Sequence, residues 1–385
     1  MNSQERVWAV LNRKPADRVP IHIITLDGKI CDEVLGKPPR TAFDAIDDIE
    51  NQYPEDWIER VNGILTNIEI SVFSRSQEAA AVLGFDTVGA GYIPFIFESK
   101  TEMIDIFGRK YQIINTHGHI MPYYMDGLIK NREDWENFPK DDPTKIFIEA
   151  KKLFKTILRR KKKSKNPNMC IMAQDDYASV FPPAWQAFGM NSFVRNLKKD
   201  PKLIVEILDY STEIVIGLFK TYSELGAKIF FEASDLAFRS GPLINPKYVD
   251  EYVFPCMKRV TEAVHEFGGK IIFHSDGDIT SLLDFIVSSG FDGVHCLEPP
   301  YVKLKPLKEK YGEKLCFLGN IDTSHVLVNG TKEEVENAVK YAIKNLGQDG
   351  GLIISPTNTH PAMNLQQIKW MIEAVKKYGT YPIML

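Results

Sequence analysis

The sequence has few cysteines, and none of them stands in a closely spaced pair. The 385 residues contain five cysteines, an odd number, scattered along the chain without a CxxC motif. Small secreted proteins held together by disulfides carry an even set of cysteines at short, regular spacings. This pattern therefore excludes a disulfide framework and indicates a reducing compartment, so we predict a cytoplasmic protein.

Excess charge of one sign and long apolar runs are also missing. The 47 lysines and arginines nearly balance the 51 acidic residues, and the net charge of −4 excludes a broad basic surface for nucleic acid. No apolar run approaches the roughly 18 residues that a membrane span needs. The first residues, MNSQERVWAVLNRKP, have the pattern of an amphipathic helix rather than of a signal peptide. We therefore predict that neither nucleic acid nor a membrane is a partner.

The sequence does have a regular alternation of short apolar runs and longer segments of helical period. The runs are almost continuously apolar. This indicates strands that are buried on both faces, as in a parallel sheet covered by helices. No GxGxxG motif follows any run, so a dinucleotide-binding fold is disfavoured. Eight strands in βα order favour a (β/α)8 TIM barrel over a doubly wound sheet. The predicted strands are Val19–Ile24, Phe85–Gly89, Met169–Ala173, Ala227–Glu232, Lys270–His274, Gly293–Leu297, Leu315–Gly319 and Leu352–Ser355.

Two stretches interrupt this rhythm. Residues 92–125 alternate between apolar and polar side chains and contain turn signals, which predicts an inserted β-hairpin or small meander. Residues 36–60 are rich in proline and acidic residues, which favours a loop over the barrel mouth. We therefore expect one barrel domain over residues 1–385, with residues 1–60 as an N-terminal extension and lid.

Acids, amides and imidazoles follow almost every predicted strand. Active sites of (β/α)8 barrels lie at the carboxyl ends of the strands, so this clustering predicts an enzyme. The residues concerned are Gln174, Asp175, Asp176, Tyr177, Glu232, Ser234, Asp235, Arg239, His274, Asp276, Asp278, Glu298, Asn320, Asp322, Asn358 and His360.

The segment IIFHSDGD is the most specific of these strand ends. His274 and Asp276 are two residues apart, so their side chains can point to the same side. Such a pair can share a divalent metal or act as a base with its orienting partner. The alternative is structural: Asp276 or Asp278 caps a helix that begins near Ile279, and His274 is a buried, hydrogen-bonded residue.

Three further residues have less specific signals. Glu298 lies between a buried strand and a Pro-Pro turn, where a carboxylate needs a role or a partner. Asp235 either binds a substrate amide or amine or forms a salt bridge with Arg239. His360 follows the last strand and is equally consistent with a functional and a loop position.

Five segments together resemble one superfamily over nearly the whole chain. They are ADRVPIHI, AWQAFGMNSFVRNLKKDPKLIVEILD, SGPLINPKYVDEYVFPCMKRV, FHSDGDITSLLDFIVSSGFDGVHCLEP and GNID-(x)7-GTKEEVENAV. They resemble the uroporphyrinogen decarboxylase superfamily, which implies a (β/α)8 fold. That superfamily includes porphyrinogen decarboxylases and methyltransferases that move methyl groups between corrinoid proteins and thiols, folates or methylated substrates.

Departures from the superfamily's motifs distinguish its branches. True uroporphyrinogen decarboxylases carry an RQAGR-type motif near the N-terminus, whereas this chain reads HIITLDGKICDE and has no arginine there to hold substrate carboxylates. The thiol-methylating branch has an HxC zinc motif and another cysteine after the last strand. Here His274 matches the histidine, Asp276 replaces the first cysteine, and Asn358 or a neighbour replaces the second, so no cysteine falls at a ligand position. A harder ligand set favours oxygen- or nitrogen-bound methyl donors.

The resemblance implies a methyltransferase that moves a methyl group between a small O- or N-methylated substrate, or a carrier, and cobalamin. The chain has no DxHxxG segment, so the cobalamin is expected on a partner corrinoid protein. Zinc, acting as a Lewis acid, is expected on His274, Asp276 and Glu298, with His360 as a further candidate ligand. The predicted catalytic residues are Asp235, Tyr177 and His360, and the predicted substrate-binding residues are Asp176, Glu232, Arg239, Asn320 and Asn358.

Two other functions remain open from the sequence. A metal-free decarboxylase-type lyase on the same fold would use Asp235, Tyr177 and His360 for proton transfer. The other is a binding protein on a barrel that has lost its catalytic activity. Its only support is the absence of cysteine from the ligand positions. A homodimer is expected from the resemblance alone.

Overall fold

Eight parallel strands form one closed sheet in the computed structural model, which describes residues 1–36, 42–116, 119–140, 142–175 and 178–385. The strands are hydrogen-bonded in sequence order, and the amide of Ile354 on the last strand donates to the carbonyl of Pro20 beside the first, 2.9 Å away. The predicted (β/α)8 barrel is therefore confirmed. In chain order its strands are His22–Ile23, Thr87–Gly91, Cys170–Gln174, Ile229–Ala233, Lys270–His274, Gly293–Cys296, Cys316–Ile321 and Leu352–Pro356.

All eight predicted strands overlap the observed ones, because each is buried on both faces. In the fifth strand, Ile272 packs with the apolar side chains that fill the inside of the barrel, whereas Ile271 and Phe273 pack in the layer between strands and helices. His274 ends the inward-facing row that Ile272 begins. The alternation thus places the imidazole inside the barrel at the carboxyl end of the strand.

Helices cover the outside of the barrel. The segments of helical period that alternate with the predicted strands form helices. Among the described residues, no helix combines the length and the apolar character needed to cross a membrane. The helices are Ser3–Leu11, Gly28–Leu35, Ala42–Gln52, Trp57–Leu83, Arg132–Asn137, Pro143–Lys161, Phe181–Gln186, Met190–Lys199, Pro201–Glu224, Pro246–Tyr248, Val249–Val253 (a π-helix), Phe254–Glu266, Thr280–Leu282 (a 3-10 helix), Leu283–Ser288, Leu304–Tyr311, Val326–Asn329, Lys332–Leu346 and Leu365–Tyr378.

The prediction of a loop over residues 36–60 is wrong where the structure describes this stretch. Helix Ala42–Gln52 lies within it, and the 27-residue helix Trp57–Leu83 begins before its end. Ile46 and Val61 from these helices are buried in a small apolar cluster with side chains of the inserted strands. The helices therefore depend on a tertiary partner more than on their proline- and acid-rich local sequence.

The predicted insertion is a four-stranded antiparallel meander. Its strands are Phe95–Phe97, Glu102–Asp105, Arg109–Thr116 and His119–Gly127, paired in sequence order. The period-2 alternation correctly predicted this element, because one face of the sheet packs on the cluster around Ile46 and the other faces outward.

The first helix closes the barrel at the end opposite the predicted site. Val7, Val10 and Leu11 are fully buried against the inward-facing residues at the starts of the strands. Beside them, Asp86 is 1% exposed and binds the guanidinium groups of Arg6 and Arg18. This part of the predicted lid therefore lies away from the barrel mouth.

Candidate metal centre

Three side chains with metal-binding atoms converge at the carboxyl ends of the fourth and fifth strands. Nε2 of His274 lies 3.8 Å from Oδ1 of Asp235 and 3.7 Å from Oδ1 of Asp276. One ligand atom from each of the three lies within 4.8 Å of the others. His274 is held at the end of its strand, Asp276 lies two residues later, and Asp235 follows the neighbouring strand, whose last residue Ala233 pairs with His274.

The chemistry of this set fits a divalent metal ion such as zinc. Carboxylate oxygen and imidazole nitrogen bind zinc at about 2.0–2.2 Å, so two ligands of one ion lie farther apart than a hydrogen bond. The separations of 3.7 and 3.8 Å from His274 are too long for hydrogen bonds and agree with such a spacing. About half of the Asp235 side chain is accessible to solvent, which leaves the group open toward the barrel mouth. Desolvation by the protein atoms around the carboxyl group, and next the charge of Asp276, raise the pKa of Asp235.

Two neighbours hold Asp276 in place. The side-chain amide of Asn358 donates to Oδ2 of Asp276 over 2.8 Å, and the thiol of Cys296 donates to Oδ1 over 3.4 Å. Burial, followed by the nearby carboxylates of Asp276 and Glu298, raises the pKa of the Cys296 thiol well above its usual range. No cysteine is among the three converging side chains, but the neutral thiol of Cys296 contacts one of them.

Glu298 and Arg239 lie beside the group rather than within it. Oε2 of Glu298 accepts a hydrogen bond of 3.0 Å from the amide of Gly277, and Oε1 is 4.0 Å from Nε of Arg239. Gly277 has a φ of 82°, and a Cβ there would lie 2.5 Å from the carbonyl oxygen of Phe238, so the loop needs glycine. Glu298 therefore contacts the loop that carries Asp276, and among the described residues Asp235, rather than Glu298, converges with His274 and Asp276.

A second imidazole, His295, which the sequence analysis did not single out, contacts His274 directly. The two Nδ1 atoms are 2.7 Å apart. Nε2 of His295 lies 3.0 Å from the hydroxyl of Ser355 and 3.2 Å from the carbonyl oxygen of Pro356. His295 was overlooked because it lies inside an apolar strand; the available signal was its inward-facing position in register with His274.

The other predicted site residues have different surroundings. His360 accepts a hydrogen bond from the amide of Ala362 in its own loop, and Arg239 is 71% exposed. Asn320 is buried at the end of the seventh strand. Asp176 and Tyr177 lie outside the described residues.

Glu232 is fully buried and is not one of the three converging side chains. Its Oε1 accepts hydrogen bonds from the amide of Val180, over 3.1 Å, and from the hydroxyl of Ser234, while Oε2 has no hydrogen-bond partner among the residues that the structure describes. Burial raises the pKa of Glu232 from its ordinary value of 4.5 to about 7. These contacts fit a role in holding the start of helix Phe181–Gln186.

The raised pKa makes a testable contribution to stability. The folded state binds the proton of Glu232 more tightly than the unfolded state, so the free energy of unfolding falls as the pH rises from about 4.5 to about 7. We expect Glu232→Gln to lack this fall and to gain about 2 to 3 kcal/mol relative to wild type between pH 5 and pH 8. Urea unfolding of both proteins across this range measures the difference, and parallel pH profiles would contradict the assignment.

Comparisons with known proteins place the site in context. A family model described as uroporphyrinogen decarboxylase (URO-D) matches residues 104–378. A methylated-thiol–coenzyme M methyltransferase of Methanosarcina mazei is 29% identical over 163 residues, which cover 42% of each chain. A methylcobamide:CoM methyltransferase MtbA of Methanosarcina acetivorans is 23% identical over 97% of this chain and 98% of that protein.

A solved structure extends the likeness to the whole fold. It is described as a methyltransferase from Methanosarcina mazei, and it superimposes with a TM-score of 0.73 at 18% identity, covering 98% of this chain and 99% of its own. The two curated relatives are methyltransferases. This confirms the predicted enzyme class and the nearness of the chain to the methyltransferase branch of the superfamily. The match of the family model over most of the chain, together with the barrel and its strand-end residues, shows that the chain belongs to the uroporphyrinogen decarboxylase family.

Proposed function

We propose that this protein is a corrinoid-linked methyltransferase that binds a zinc ion through Asp235, His274 and Asp276. It moves a methyl group between a small O- or N-methylated substrate, or a carrier, and a cobalamin on a partner protein. The observation that carries the proposal is the convergence of one imidazole nitrogen and two carboxylate oxygens at the mouth of the barrel. The methyltransferase relatives supply the reaction class.

The ligand set supports oxygen- or nitrogen-bound methyl groups over thiols. The names of the relatives indicate methylated thiols and coenzyme M as their substrates. Thiolate chemistry is favoured by soft cysteine ligands, whereas the three side chains here supply two carboxylates and an imidazole. When bound, the metal supplies Lewis-acid polarisation of the substrate atom that carries the methyl group.

The chain's own residues orient this site. Asn358 and Cys296 hold the two oxygens of Asp276, and Glu298 fixes the backbone of the following residue. The open side of Asp235 faces solvent, where a substrate and a partner protein can approach. We assign the cobalamin to a partner because the sequence has no DxHxxG segment, and the five buried free thiols support a cytoplasmic location.

The test combines metal content with methyl transfer. Protein purified without a histidine tag should contain about one zinc per chain, or gain thermal stability on adding zinc. Mixed with a cob(I)alamin carrier and a panel of methoxy and methylamine compounds, it should convert the visible spectrum to that of methylcobalamin.

Three outcomes would contradict the proposal in different ways. A protein without zinc that gains no stability from it would exclude the metal site. If zinc is bound but no methylcobalamin forms with any donor of the panel, methyl transfer from these substrates is excluded. Release of carbon dioxide from porphyrinogens would instead support the decarboxylase alternative.

A further inference from the structure

The second imidazole, His295, has no assigned role, although it touches the candidate ligand. We propose that His295 is a positioning residue that fixes the tautomer of His274, so that Nε2 of His274 presents its lone pair to the metal. This inference rests on the proposed zinc site. It is carried by the three hydrogen-bond contacts that join His274, His295 and the end of the eighth strand.

The contacts of Nε2 of His295 determine which of its two ring nitrogens carries the proton. Its Nε2 faces the carbonyl oxygen of Pro356 at 3.2 Å, and a carbonyl oxygen can only accept. The hydroxyl of Ser355 also donates to that carbonyl over 2.7 Å, so its oxygen is available to accept from Nε2. A proton on Nε2 of His295 satisfies both contacts, whereas a bare Nε2 would oppose the carbonyl oxygen.

The distance between the two Nδ1 atoms then determines which of them carries a proton. His295 is fully buried, and burial favours the neutral imidazole, so with Nε2 protonated its Nδ1 is bare. A separation of 2.7 Å between the two Nδ1 atoms requires one proton between them. That proton belongs to His274, which donates from Nδ1 to His295.

With its proton on Nδ1, the neutral imidazole of His274 has its lone pair on Nε2. It faces the carboxylates of Asp235 and Asp276, which are also acceptors. Three lone-pair donors directed at one another repel unless a cation lies among them. Metal-binding histidines commonly donate their second nitrogen to a fixed acceptor, and His295 occupies that acceptor position for His274.

Packing prevents the two rings from rearranging. The ring of Phe231 stacks on His274 with centroids 5.5 Å apart and lies 5.2 Å from His295. His274 is 7% exposed, so little water can replace His295 as its partner. A variant that removes the acceptor therefore leaves the Nδ1–H of His274 unsatisfied or reverses the tautomer.

The test compares zinc affinities by competition with a chromophoric chelator. We expect His295→Phe, which keeps a ring but removes the acceptor, to weaken zinc binding by about 10- to 100-fold. His295→Asn, whose amide oxygen can accept from Nδ1 of His274, should restore affinity to within about threefold of wild type. His22→Phe is the matched control, because His22 is an equally buried barrel histidine with its ring 5.9 Å from that of His295, and among the described residues its ring nitrogens make no hydrogen bond to the candidate ligands.

Proton positions give a second readout that does not depend on affinity. Long-range proton–nitrogen correlation spectra should show His274 protonated at Nδ1 and His295 at Nε2. The inference is overturned if wild type and His295→Phe bind zinc equally, or if the spectrum shows the proton on Nδ1 of His295. Failure of the proposed function is distinguishable, because wild type itself would then bind no zinc while the spectrum still reports the tautomers.

Discussion

His274→Ala is expected to abolish both zinc binding and methyl transfer while leaving the barrel folded. The imidazole is the only nitrogen among the three converging ligand atoms, and Nε2 is the atom that both carboxylates face. Its removal leaves two carboxylates whose mutual repulsion is no longer balanced by a shared ion. The loss in zinc affinity should exceed the roughly 10- to 100-fold typical of residues that only orient a ligand.

Metal analysis and chelator competition measure this loss, and circular dichroism verifies the fold. His325→Ala is the matched control, since His325 lies 63% exposed beside Glu334 and should keep full zinc content. Asp276→Asn should also weaken binding, because it retains the size of the side chain while removing a negative charge. If His274→Ala keeps its zinc, the ion lies elsewhere and the proposed centre is wrong.

The sequence predicted the part of the site that depends on strand ends. His274 and Asp276 were paired because residues two apart at the end of a buried strand share a side, and the structure places them together. The sequence predicts a catalytic role for Asp235 or a salt bridge with Arg239, and the structure places its Oδ1 3.8 Å from Nε2 of His274. This position depends on the register between neighbouring strands, which a single apolar run does not specify.

His295 and Cys296 were missed for a related reason. They lie within the run GVHCL, which reads as an apolar strand, so nothing local distinguishes an inward imidazole from a core residue. The positive φ angles of Cys296 and Leu297, 96° and 54°, redirect the chain where the strand ends. Local sequence patterns carry no signal for such a turn when the residues are not glycine.

The fold was predictable where burial dictates the pattern. Eight doubly buried strands produce eight apolar runs, and the helices that cover them repeat at helical period. The stretch around Ile46 and Val61 differs, because these two side chains are buried by the inserted meander rather than by the barrel. An expectation based on proline and acidic residues therefore failed where a distant segment supplies the partner surface.

Asp86→Ala is expected to cost about 3 to 5 kcal/mol of unfolding free energy, because it removes one partner of a buried ionic cluster. Asp86 is 1% exposed and accepts from Arg6 over 2.6 Å and from Arg18 over 2.8 Å. It also accepts from the hydroxyl of Ser3 and the amide of Ile21, each over 2.9 Å. Alanine would remove a carboxylate partner from two guanidinium groups and the acceptor of a backbone amide at the closed end of the barrel, while Arg6 keeps its contacts with Asp17.

Urea unfolding measures this cost, and two variants separate its causes. Asp86→Asn keeps the side-chain shape and one acceptor oxygen, so it should retain part of the stability lost in Asp86→Ala. Asp56→Ala removes a carboxylate from an exposed pair with Arg60, 2.8 Å apart, and should leave stability unchanged within error. Because Asp86 lies at the opposite end of the barrel from His274, the folded Asp86→Ala protein should bind zinc as tightly as wild type. A variant that loses stability and zinc affinity together would show that the closed end of the barrel and the metal centre are coupled.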